Sequence, residues 1–190
     1  MNMSDSLTPT FLAKGGRAQM DRCDYYPDHL VKTAAMVLTV QDALKERRCR
    51  LVTMESCTAG GIANAVSLVK GASRYLIGGY VVYDNEQKVG VGVDSEKIRR
   101  HTEVSHEVAR NMSLVAYQRA CRTHPCEQAV AVSTTGNIDD RAKVFMGFTS
   151  PWGDPKSVVV HLSKYGTRWG RQLEVIHAAL DFVLTELLPA

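Results

Sequence analysis

Ser56 stands in the run Glu55-Ser56-Cys57-Thr58-Ala59-Gly60, after the partly β-branched stretch Leu51 to Met54 and before Ile62, Ala63, Val66 and Val69 at helical spacing. A hydroxyl at such a strand-to-helix corner can attack a carbonyl carbon, and amides at the helix start can stabilise the oxyanion that forms. The same residues also fit a plain helix cap by Ser56 or Thr58. Cys57 adds a thiol that a helix start could activate, although no histidine lies in a recognisable motif nearby. Lys88, in Tyr83-Asp84-Asn85-Glu86-Gln87-Lys88, is a candidate general base. Desolvation or neighbouring positive charge lowers a lysine pKa, and Tyr83 could relay a proton. Read alone, that segment is also an ordinary polar turn with a solvated lysine.

Two further groups could hold a ligand. Thr134-Thr135-Gly136 follows the apolar run Ala129-Val130-Ala131-Val132. Its hydroxyls and glycine suit a phosphate or a carbonyl, as a plain turn also would. Gly166-Thr167-Arg168, with Arg171, opens the last amphipathic segment. Cations prefer the other end of a helix, so a phosphate contact or an ion pair would explain them. Cys121-Arg122-Thr123-His124-Pro125-Cys126 resembles half of a metal site, but no second pair completes four ligands. It reads as a helix end followed by a loop. No metal and no cofactor is expected.

The elements that must position these groups follow from periodicity. Leu30, Ala34, Val37, Leu38 and Leu44 fall on one helical face, with Lys45 to Arg48 adding positive charge at its end. Strands are predicted at Leu51–Glu55, Tyr75–Tyr83, Gln128–Ser133, Val144–Thr149 and Val158–Leu162, the last two joined by a hairpin around Pro151, Gly153 and Pro155. Ser95 and Ser105 are placed to cap helices, and a helix starting near Thr167 carries Leu173, Ile176, Leu180, Val183, Leu184 and Leu187 inward. Residues 1–26 lack periodicity and read as a flexible tail. Residues 27–190 read as one α/β domain with helices packed on a mixed sheet.

Composition narrows the function classes. The chain has 190 residues, and its 23 basic side chains exceed its 20 acidic ones by a margin too small to argue for nucleic acid. No apolar run approaches the roughly 18 residues that cross a bilayer, and the polar start (Asn2, Ser4, Asp5, Ser6) does not read as a secretory signal. A cytoplasmic protein is expected, without a membrane partner. The five cysteines, odd in number and scattered, do not look like a disulfide framework.

Taken together and in this order, the motifs resemble the C-terminal domain of the CinA family, from about Leu30 to Leu187. Glu55-Ser56-Cys57-Thr58 with Gly60 is similar to that family's Glu-Ser-Cys-Thr-Gly-Gly signature. Tyr83, Asn85, Glu86 and Lys88 are similar to its Tyr-Ser-Asn-Glu-Ala-Lys element. Val104-Ser105 with Glu107-Val108-Ala109, Thr135-Gly136, and Gly166-x-Arg168 with Arg171 resemble three more of its elements. The resemblance implies a three-layer α/β/α fold, a homodimer, and hydrolysis of the carboxamide of nicotinamide mononucleotide to the acid and ammonia. It implies Ser56 as nucleophile, Lys88 as its base and Tyr83 as an aid to proton transfer. Thr58, Gly60, Asn85, Thr135, Gly136, Arg168 and Arg171 would contact the nucleotide. The chain departs from the pattern in several places. Ala59 replaces the first glycine of the serine motif, and Asp84 and Gln87 replace small residues. Thr102-Glu103 replaces Gly-Ala, and Asn137 to Lys143 replaces a loop rich in glycine and proline. Two acidic side chains in that loop would repel an anionic substrate if they faced it. That loop and the tail support a second expectation, a catalytically silent relative that binds a nucleotide or another protein.

Overall fold

The computed structural model describes residues 26–139, 143–163 and 167–188. Of the tail expected at residues 1–26, residues 1–25 lie outside them, and Tyr26 instead begins α1. The α-helices and β-strands follow in order: α1 (Tyr26–Glu46), β1 (Arg50–Glu55), α2 (Gly61–Ser67), β2 (Leu76–Val81), α3 (Asn85–Gly90), α4 (Ser95–His101), α5 (His106–Ala120), β3 (Ala129–Asn137), β4 (Lys143–Ser150), β5 (Gly153–His161) and α6 (Arg168–Leu187). The five strands form one mixed sheet in the order β2-β1-β3-β4-β5. β1 runs parallel to both β2 and β3, whereas β3–β4 and β4–β5 are antiparallel.

The sheet separates two apolar layers. On one face Leu51, Val130 and Val132 pack with Val37 and Leu44 of α1, Ile62 and Val66 of α2, and Val175, Leu180 and Val183 of α6. On the other, Val52, Met54, Ala129 and Ala131 pack with Val108, Met112 and Val115 of α5. The two central strands are therefore buried on both faces, which is why they read as continuous apolar runs rather than alternating ones. The α/β/α layering and the mixed sheet agree with the expected fold class.

Several boundaries differ from the sequence reading, each for a local reason. β3 continues through Thr134, Thr135 and Gly136, which pair with Met146, Phe145 and Val144 rather than forming a turn. The hairpin is tighter than expected, because Gly153 and Pro155 already belong to β5. Lys88 lies on a short helix, α3, and not on a turn: the Asp84 carboxylate caps it by accepting from Glu86 N at 2.7 Å. Asp94, not Ser95, caps α4 in the same way. Ser105 and Thr167 do cap α5 and α6. Cys121 and Cys126 are joined as a disulfide that closes the loop after α5, so the pair considered above as a metal half-site is engaged in a bond that the odd cysteine count concealed. Among the described residues no helix is long and apolar enough to cross a membrane.

Candidate active site

The three parallel strands end at one edge of the sheet, where ligands of open α/β sheets gather. β1 delivers Ser56 there, β2 leads to Tyr83 and α3, and β3 contributes Thr135 and Gly136. The corner after β1 is held on both sides: Ser56 N donates to Thr134 O at 2.9 Å and Val82 N donates to Glu55 O at 2.8 Å. A cavity of about 380 Å³ opens at this edge. Ser56, Lys88, Tyr83 and Asn85 line it, together with Thr135, Gly136 and Arg168. Nucleophile and base candidates thus share one enclosure although they come from different elements.

Lys88 is 1% exposed, not the solvated lysine of an ordinary turn. Its amine donates to Tyr83 O at 3.3 Å and to Asn85 Oδ1 at 3.2 Å. Burial pulls its pKa below the ordinary lysine value, against an opposite pull from the carboxylates of Glu103 and Asp84 and from Cys57. A neutral amine has two N–H donors and one lone pair, and the two carbonyl acceptors match those donors. In that neutral form the lone pair stays free to take a proton. Ser56 is 7% exposed, and its hydroxyl makes no hydrogen bond among the described residues. Cys57 also lines the cavity, but burial, first among its influences, pushes its thiol up to about 12. A thiol that stays protonated at neutral pH is a poor nucleophile.

Beneath Ser56 lies a carboxylate whose part the sequence did not reveal. Glu55 is fully buried. Its Oε1 accepts from Thr53 Oγ1 and Ala63 N, both at 2.9 Å, and its Oε2 from Thr58 Oγ1 at 2.7 Å and Ile62 N at 3.0 Å. Gly61 N and Asn64 N donate to Thr58 O and Gly60 O. The amides at the start of α2 are consequently occupied, which overturns the expectation that they face an oxyanion. It also overturns the alternative of a Ser56 or Thr58 cap, since Gly60 at φ 91° is the cap residue and no side chain at that position bonds to the helix. A glutamate seven positions ahead of a helix amide is outside ordinary capping patterns, so no standard sequence signal marks it.

The remaining expected residues frame the cavity rather than line it. Thr58 is tied to Glu55 and lies 2.8 Å from Thr134 Oγ1. Gly60 makes the left-handed turn. Arg171 donates to the carbonyls of Ile138 (2.8 Å) and Asp139. Of the lining residues, Thr135 donates its hydroxyl to Glu103 O at 2.6 Å. Arg168 is ion-paired with Asp139 and donates to Tyr83 Oη at 2.6 Å. Asp139 itself lines the cavity, as do Asp84 and Glu103, so one acidic residue of the altered loop does face the ligand space. Among the described residues no group of three or more His, Cys, Asp or Glu side chains is placed to hold a metal ion.

Ala59 adopts φ 52°, a left-handed conformation that costs an L-residue energy. Ala59→Gly is expected to raise stability by about 0.5 kcal/mol, the relief of that strain less the added chain entropy of glycine. Urea unfolding of the two proteins checks it; a loss of stability would show that Ala59 is unstrained.

Residues 33–187 match the family model described as the CinA C-terminal domain. A "CinA-like protein" of Picosynechococcus sp. is 33% identical over 154 residues, covering 78% of this chain and 35% of that protein. Another, from Flavobacterium psychrophilum, is 32% identical over 152 residues, covering 76% and 35%. The chain thus spans about a third of the length of these curated relatives. Among solved structures, competence damage-inducible protein A of Klebsiella pneumoniae superposes with a TM-score of 0.73 at 22% identity, covering 82% of this chain and 96% of that one. A CinA superfamily protein of Escherichia coli gives 0.72 at 22% identity, covering 82% and 90%. At that identity the structures bear on the fold alone.

Proposed function

The chain belongs to the CinA C-terminal domain family, and from that membership we propose that it is an amidohydrolase acting on the carboxamide of nicotinamide mononucleotide or a related pyridine nucleotide. The observation that carries the reading is the buried Lys88 amine and the Ser56 hydroxyl lining one cavity. The neutral amine takes the Ser56 proton as Oγ attacks the carboxamide carbon. The donor this reading assigns to the oxyanion is the backbone amide of Cys57, next to Ser56 on the cavity wall and ahead of the amides that Glu55 occupies. Lys88 then returns the proton to the amide nitrogen as the C–N bond breaks and ammonia leaves. Water, deprotonated by the same amine, hydrolyses the acyl-serine ester and frees the carboxylic acid. Tyr83 positions this base through its backbone carbonyl and reaches the rim through its hydroxyl.

Ammonia release from nicotinamide mononucleotide by the purified protein tests the reading, with its pH dependence as the sharper readout. The active form is the neutral amine, so kcat/KM rises with pH and levels off below the range of an ordinary lysine. Lys88→Met removes that ascending limb together with most of the rate. A pH profile identical in the variant would remove Lys88 from the chemistry. Binding of the nucleotide without turnover would favour the silent relative, for which the specific observation is Asp139 holding Arg168 within the cavity.

A further inference from the structure

The mouth of the cavity is built from three segments whose charges are ill matched to a phosphate. Arg168, in the first turn of α6, is paired with the Asp139 carboxylate and hydrogen-bonded to the Tyr83 hydroxyl. Arg171 holds the Ile138 and Asp139 carbonyls, which fastens the end of β3 to α6 and keeps Asp139 beside Arg168. The cation best placed to receive an anion therefore already has one. Among the described residues, the acidic Asp84, Glu103 and Asp139 line the cavity beside Arg168 and the Lys88 amine. A phosphate dianion that takes Arg168 as its partner must displace Asp139 and then stand near these acidic residues. The ring of an N-glycosylated nicotinamide is a pyridinium cation, which the same charges attract.

We infer that the site selects a phosphate-free pyridinium carboxamide, nicotinamide riboside over its phosphate monoester, and that Asp139 sets the choice by occupying Arg168. This rests on the amidohydrolase reading for its chemistry, which it keeps, and changes the substrate. The leaving group, the Ser56 ester and the protons are as described above. The Asp139–Arg168 pair is 57% and 45% exposed at its two side chains, so Asp139→Asn perturbs folding little and acts on the preference between ligands.

The test compares nicotinamide riboside with nicotinamide mononucleotide in two ways. Calorimetric affinities are measured on Ser56→Ala with and without Asp139→Asn, and kcat/KM on the wild type and on Asp139→Asn. The riboside is expected to be favoured about tenfold at low salt, the margin shrinking as ionic strength rises. Asp139→Asn is expected to shift the ratio about tenfold toward the mononucleotide. A wild-type preference for the mononucleotide, or a ratio that Asp139→Asn leaves unmoved, overturns the inference. Ammonia release from the mononucleotide without preference for the riboside keeps the hydrolase and discards the selectivity. The expected affinities without any ammonia release keep the selectivity and discard the hydrolase. Failure to bind either compound discards both.

Discussion

Ser56→Ala lowers the rate of ammonia release from the better substrate by about a thousandfold or more, the scale on which a lost nucleophile is felt. The neighbouring candidates cannot stand in for it. The Cys57 thiol, pushed up to about 12 by burial, is protonated at neutral pH. The Thr58 and Thr135 hydroxyls are held by Glu55 and by the Glu103 carbonyl. Folding should be nearly unaffected, because the Ser56 hydroxyl contributes no hydrogen bond among the described residues, so thermal unfolding of the variant serves as its control. A rate unchanged in a folded Ser56→Ala protein would end the proposed mechanism. Cys57→Ala is the companion measurement: a loss as large as that of Ser56→Ala would transfer the attack to sulfur.

Glu55→Ala is the substitution with the largest expected effect on stability. It removes the acceptor of two backbone amides of α2 and two threonine hydroxyls, all at 2.7–3.0 Å, in a position with no exposed surface. Unpartnered buried donors and the space left behind together cost about 3–5 kcal/mol, a large share of the 5–15 kcal/mol typical of a domain. Glu55→Gln is the more discriminating change. It keeps the volume but turns one acceptor oxygen into an NH₂ group that faces an amide N–H and a hydroxyl. Urea unfolding should show both variants strongly destabilised. A loss below about 1 kcal/mol in both would show that the carboxylate does not hold the corner.

The residues that gather at this edge were more legible in the sequence than the elements that carry them. Ser56 and Lys88 were legible because small residues at a strand-to-helix corner and a lysine beside Tyr-x-Asn-Glu are uncommon together. The sheet was legible because β1 and β3 are apolar without alternation. Thr134 to Gly136 read as a turn because hydroxyls and a glycine resemble turn chemistry; pairing with β4 decided otherwise. Burial was the hardest property to read. Glutamate and lysine are ordinarily exposed, and only the surrounding donors and acceptors explain Glu55 and Lys88 inside the protein. The pairing of Arg168 with Asp139 joins residues far apart in the chain, and no local pattern announces it.

The hydrogen bonds of the Glu55 carboxylate all fall within residues 53–63. The rim, by contrast, is assembled from Tyr83, Asp139 and Arg168, contributed by segments that touch Glu55 through none of these bonds. Heredity can therefore edit the Asp139 and Arg168 side chains without touching the bonds of the Glu55 carboxylate. A lineage could change what the mouth admits by rewriting those two side chains while inheriting the corner around Glu55 intact.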